Sequence, residues 1–150
     1  AGKPLYFIRM IEDISARKRA EEEPRLNVER FEIVARATND AVWDWDLRTN
    51  NLWWNRGFET LFGYAGQDIT PGIDSWYEGI HPEDKLRVVS SIHRVIDSQE
   101  SSWSDEYRFR RASGDYAFVY DRGYVIRDGN GTPLRMIGAM MDITQRRRAE

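Results

Sequence analysis

Two histidines, six tryptophans, no cysteine and an Asp142-Ile143-Thr144 run carry most of the chemical content of this 150-residue chain. Without cysteine there is no thiolate nucleophile, disulfide scaffold, cysteinyl photo-adduct or thiolate-bound zinc. Two histidines are too few for a histidine-rich metal centre. No phosphate-binding glycine loop, G-x-S-x-G elbow or H-E-x-x-H helix occurs, and neither histidine lies in an H-E-x-R-x-P setting. The stretch is therefore not expected to be an enzyme. His81, next to Pro82, reads as a helix cap. His93 shares a helical face with Val89 and Ile96. With Val89 and His93, the rings of Trp43, Trp45, Phe62, Tyr107, Phe109, Phe118 and Tyr120 are the candidate lining of a pocket for a flavin or another small molecule. The alternative is that these rings simply fill the core. Asp142 ends a strand just before a helix, where its carboxylate and the Thr144 hydroxyl can accept from free backbone N–H groups. Arg122 and Arg127 are the candidate partners of Asp142.

The elements that must position these residues follow from periodicity. Residues 5–14 read as a strand and 16–23 as a helix former, interrupted by Pro24. A helix is expected from about 24 to 38, with Phe31, Val34, Ala35 and Thr38 on one face. From Asp40 to Leu47 the period changes to two, placing Ala41, Trp43, Trp45 and Leu47 opposite Val42, Asp44 and Asp46. Arg48 to Asn51 is turn chemistry, and Leu52-Trp53-Trp54 returns as the hairpin partner. Asn55 can cap a short helix carrying Phe58, Leu61 and Phe62 that Gly63 stops. Trp76-Tyr77 fits a helical turn. A longer helix starts at His81-Pro82-Glu83-Asp84 and runs to about Ser98, with Leu86, Val89, Ile92, His93 and Ile96 expected to be buried. Three strands close the chain, from Trp103 to Arg111, Tyr116 to Arg127 and Leu134 to Ile143. Turns at Ser113-Gly114-Asp115 and Asp128-Gly129-Asn130-Gly131 separate them. An exit helix starts at Thr144. This order predicts an α+β domain, a five-stranded antiparallel sheet with helices on one face.

Hydrophobic residues make up 41% of the chain and charged residues 31%, a globular composition. With 22 Lys and Arg against 25 Asp and Glu, the net charge of −3 disfavours non-specific nucleic-acid binding. The runs Arg146-Arg147-Arg148 and Arg17-Lys18-Arg19 read as solvated helix faces rather than phosphate or lipid sites. No apolar stretch approaches the ~20 residues of a membrane span, and no signal-peptide pattern is present. The expectation is a soluble, cytoplasmic chain without direct membrane contact. The chain also repeats itself. Gly2 to Glu21 aligns with Gly131 to Glu150, with identity at Gly2, Pro4, Leu5, Ile8, Asp13, Ile14, Arg17, Arg19, Ala20 and Glu21. Chance would give about one or two matches. The predicted organisation is the last strand and exit helix of one module (1–23), a linker helix (24–38), a complete second module (39–143) and its exit helix (144–150).

Across residues 30–146 the sequence resembles the PAS sensory domain with its C-terminal PAC segment, in the Trp-rich subtype of bacterial sensor kinases. The runs that carry the likeness are Asn39-Asp40-Ala41-Val42-Trp43-Asp44-Trp45-Asp46-Leu47, Phe62-Gly63-Tyr64, Trp76-Tyr77 and His81-Pro82-Glu83-Asp84. They continue through Tyr107-Arg108-Phe109-Arg110-Arg111, Asp128-Gly129-Asn130-Gly131-Thr132-Pro133 and Asp142-Ile143-Thr144. Ala117-Phe118 departs from the family's frequent Arg-Trp pair, and Pro24 interrupts what is often an unbroken linker helix. The resemblance implies a non-catalytic sensing and transmission module. Asp142, Ile143 and Thr144 would be its output hinge, and Asp13 would hold the equivalent place in the preceding copy. It implies a homodimer through the N-terminal and exit helices, next to further PAS and kinase domains of the same chain. His93 falls in the helix that carries the proximal ligand in haem-binding members. Haem or flavin is therefore a candidate cofactor, against the expectation that none is bound. The parent is expected to be a two-component sensor histidine kinase, its membrane anchor, if present, lying outside this stretch. The alternative is a ligand-free dimerisation or spacer module in a diguanylate cyclase or other signalling protein.

Overall fold

Alternation from Ala41 onward produces the first strand, β1 (Ala41–Asp46), and Asn50, at φ 65°, takes the left-handed conformation that reverses it into β2 (Leu52–Trp54). Asn tolerates that conformation because its short side chain bonds locally; here the amide oxygen of Asn50 accepts from Trp45 Nε1 at 3.1 Å. Asn55 then caps α1 (Arg56–Phe62). Its side-chain oxygen accepts from Gly57 N and also from Val42 N in β1, so one residue starts the helix and fixes it to the sheet. Gly63 ends α1 at φ 82°. A short 3-10 turn (Gly66–Asp68) leads to the four-residue α2 (Asp74–Tyr77) and then to α3 (Pro82–Ile96). His81 caps α3 by accepting from Glu83 N, with Pro82 at the first helical position. The strands β3 (Ser102–Arg110), β4 (Tyr116–Arg127) and β5 (Pro133–Asp142) follow, and α4 (Thr144–Ala149) leaves the sheet.

These features come from a computed structural model, which describes Arg30, Ile33 and residues 39–149. The expected strand over 5–14, Asp13, the break at Pro24, and Phe31, Val34, Ala35 and Thr38 of the helix expected over 24–38 lie outside the described residues. The chain divides into units of residues 1–34 and 35–150. In the first, Arg30 and Ile33 are helical and exposed; the second holds the sheet. Among the described residues, no helix is long and apolar enough to cross a membrane.

The sheet has the order β2-β1-β5-β4-β3 with every neighbour antiparallel, so the last strand in sequence lies at its centre. One face carries Trp43, Trp45, Met136, Met140, Val119, Trp103, Tyr107 and Phe109, packed against Phe58, Phe62, Trp76, Val88, Ile92 and Val95 of the helices. Each such burial removes large apolar surface from water and stabilises by about 1.5–3 kcal/mol. Gly123 and Gly138 face each other on β4 and β5, and the Trp43 ring lies over both. A Cβ on Gly123 would stand 2.7 Å from Trp43 Cη2, and one on Gly138 would overlap the same ring.

Two expectations need correction. On α3 the buried stripe is Val88, Ile92, Val95 and Ile96, while Leu86 is 80% exposed and Val89 and His93 are half-buried. Polar anchors set the phase of the helix. Asp84 accepts from both the backbone N and the guanidinium of Arg108, and Asp105 accepts from Arg87 and Ser91. With those groups turned toward β3, Leu86 points to solvent. The helix ends at Ile96, where Arg127 donates to the carbonyls of Val95 and Ile96. On β4 the inward residues are Ala117, Val119, Asp121, Gly123 and Val125. Phe118 and Tyr120 therefore lie on the opposite face of the sheet from the tryptophan-lined core, despite their bulk.

Candidate functional site

Two arrangements concentrate the polar chemistry of the domain. The first is inside the core. Trp43, Trp45, Leu52, Trp54, Ile73, Trp76 and Ile92 enclose a cavity of about 10 Å³, the volume that one water requires. A larger cleft of about 100 Å³ is lined by Phe58, Tyr64, Arg110 and neighbours. Small-molecule sites run to ~300–1,000 Å³, so the cavity that these rings enclose does not fit haem or flavin. His93 is also engaged. Its Nε2 lies 3.4 Å from the Tyr77 hydroxyl, and its ring stands edge-on to Trp45 with centroids 6.0 Å apart. Of the proposed pocket residues, the structure brings together Trp43, Trp45 and Tyr107 on the sheet. Val89 and His93 stand at the edge of α3. Phe62 and Phe109, with ring centroids 4.8 Å apart, form a separate aromatic group with Phe58. Among the described residues, no group of three or more acidic or histidine side chains could hold a metal.

Inward alternation on β4 brings a carboxylate into this core. Asp121 is fully buried, accepting from Trp43 Nε1 at 2.8 Å and from the Tyr107 hydroxyl at 2.6 Å. The Tyr107 oxygen in turn accepts from Trp76 Nε1 at 2.7 Å. Burial pushes the Asp121 carboxyl up to about 7, against the opposing pull of Tyr107, Trp43 and Arg122. Burial, reinforced by the Asp121 charge, drives the Tyr107 hydroxyl well above its ordinary value. Sequence reading passed over Asp121, although alternation along β4 puts it on one face with Ala117, Val119 and Val125. The bulk of Phe118 and Tyr120 pointed to the wrong face.

The second arrangement is the root of the exit helix. Asp142 Oδ1 accepts from Thr144 N at 2.9 Å and from the Thr144 hydroxyl at 2.6 Å. Thr144 Oγ1 accepts from Phe118 N at 3.0 Å, and Ile143 N donates to Phe118 O at 2.8 Å. Ile143 and Thr144 are buried, so this cap is part of the core and not a frayed end. The cationic partner of Asp142 is Arg111, at 3.4 Å. Arg111 also donates to the Thr144 hydroxyl and to Asp115 of the β3–β4 turn. The expected partners are used elsewhere. Arg122 pairs with the buried Asp40 at 2.9 Å and lies over the Tyr120 ring. Arg127 donates to the carbonyls of Val95, Ile96, Glu100 and Gly131. Strand direction explains the exchange: Asp142 is the cross-strand partner of Val119, near the β3–β4 turn, whereas Arg122 and Arg127 lie farther along β4. One turn into α4, Arg147 lies over the Phe118 ring at 4.8 Å and reaches Glu106 at 3.4 Å. The helix root is thus bound to both strands of the β3–β4 hairpin.

Residues 51–140 match the family described as the PAS fold. The probable diguanylate cyclase DgcE of Escherichia coli strain K12 is 29% identical over 144 residues, covering 96% of this chain and 13% of that protein. The sensor protein FixL of Bradyrhizobium diazoefficiens is 30% identical over 122 residues, covering 81% of this chain and 24% of that protein. Among solved structures, a sensory box histidine kinase/response regulator from Burkholderia thailandensis superposes with a TM-score of 0.69 at 30% identity. It covers 80% of this chain and 88% of that chain. The chain thus spans less than a quarter of the length of these two relatives.

Proposed function

Because this chain belongs to the PAS-fold family, we propose that it is the sensing and transmitting module of a multidomain two-component sensor histidine kinase. The module itself is non-catalytic, and autophosphorylation would belong to another domain of the parent. A stimulus that alters the sheet shifts the population between two arrangements of the Asp142–Thr144 junction and so re-sets the exit helix. We place the module in the cytoplasm as a homodimer paired through its N-terminal and exit helices. The observation that carries the reading is the buried junction itself, where Asp142, Thr144, Arg111 and the Phe118 backbone join the helix root to β4 and the β3–β4 turn. A merely solvent-exposed cap would give a sheet change no path into α4.

A second reading has its own support. The cavity of about 10 Å³ suits a ligand-free spacer or dimerisation module, and one relative is a probable diguanylate cyclase. Asp142→Ala in the full-length parent separates the two. Loss of the cap costs about 1 kcal/mol, so the domain stays folded by circular dichroism. Under the transmitting reading, stimulus-dependent output is lost; unchanged signalling in that variant would leave the spacer reading.

A further inference from the structure

The hydrogens around Asp121 can be counted. Each indole N–H only donates, so Trp43 holds Asp121 Oδ1 as an acceptor and Trp76 holds the Tyr107 oxygen as an acceptor. Tyr107 has one hydroxyl hydrogen, and it goes to Asp121 Oδ2. Three donors meet three acceptors, and the set closes only when Asp121 is a carboxylate. A proton added to Oδ2 must point at the Tyr107 oxygen, whose own hydrogen then loses its recorded acceptor. A proton added to Oδ1 displaces the Trp43 N–H. In either case a buried donor is left unpaired.

Desolvation opposes the carboxylate. No cationic side chain bonds Asp121 among the described residues. From β1 the facing residue is Trp43 and from β5 it is Met140, neither of them ionisable. From β3 come Tyr107 and the cross-strand partner Asp105, whose charge is held by Arg87 of α3. From α2 comes Trp76, and from α3 the neutral Ser91 donates to Asp105 beside the cationic Arg87. The nearest cation along β4, Arg122, is paired with Asp40 on the other face and offsets the burial only in part. Geometry therefore favours the charged form and burial the neutral one, a balance that proton concentration can tip.

We propose that Asp121 is a proton-binding site, and that proton uptake there unfastens the hydrogen-bonded chain Trp76–Tyr107–Asp121–Trp43 that ties α2 to the centre of the sheet. The ligand is a proton from solvent, and one bound proton turns one acceptor oxygen into a donor. Proton uptake is independent of which output domain follows, so failure of the signalling reading would leave it standing. The test follows the indole N–H resonances of Trp43 and Trp76 by NMR on this chain from about pH 5 to about pH 9, with the Asp121 side-chain carboxyl carbon read in parallel. Both indoles are expected to move through one transition that coincides with titration of the carboxyl. Asp121→Asn is expected to abolish the transition. If that variant does not fold, the carboxyl signal of the unaltered chain decides. A carboxyl that titrates in the ordinary carboxylate range would overturn the proposal, as would indole resonances indifferent to pH or a transition that survives Asp121→Asn.

Discussion

The buried Asp121 makes the stability of this domain depend on pH in a direction opposite to that of most carboxylates. In the unfolded chain its carboxyl titrates near 3.8, and in the fold near 7. Between those values the native state holds a proton that the unfolded state has released, so stability falls as pH rises through that window. The contribution is complete below about 4 and gone above about 7. At about 1.4 kcal/mol per pH unit, linkage gives a loss of roughly 2–3 kcal/mol between about pH 5 and about pH 8. Asp84 acts the other way and lower down. The Arg108 guanidinium holds its carboxyl below the usual range, so its contribution disappears only on acidification. Urea unfolding at about pH 5, 6, 7 and 8, followed by tryptophan fluorescence, should give midpoints that decrease across the series. Asp121→Asn, which cannot ionise, should remove most of that decrease while costing stability at every pH, because its amide cannot accept at both positions. A profile that is flat or rises over this range would refute the reasoning, as would an unchanged slope in Asp121→Asn.

Further predictions concern packing. Gly138→Ala drives a methyl into the Trp43 ring and the Arg122 carbonyl; the expected cost is about 3 kcal/mol or more, visible as a lower urea midpoint. On α3, Val88→Ala should cost about 2 kcal/mol, while Leu86→Ser, at a site 80% exposed, should stay within about 0.5 kcal/mol. Equal costs for those two substitutions in thermal unfolding would show the helix phase to be wrong.

The order of elements was legible from local rules alone. Asn55, Gly63, His81-Pro82 and the Asp128–Gly131 turn act within a few residues of themselves, and each stands where its own chemistry places it. The capping role of Asp142 and Thr144 is of the same kind, since acceptor and donor are two residues apart. What reached across the chain was not legible. The partner of Asp142 is 31 positions away in Arg111, and that of Arg122 is 82 positions away in Asp40. Both pairings follow from the register between strands, which no local pattern specifies. The inward face of β4 was misread for a related reason. Alternation gives two faces without saying which is buried, and Phe118 and Tyr120 outweighed Asp121 in bulk. Only the assembled sheet, with Gly123 and Gly138 leaving room for the Trp43 ring and its N–H turned to a carboxylate, makes an acid the inward residue. Short-range chemistry set the elements of this domain; long-range packing decided which of its charges are buried and which partners they meet.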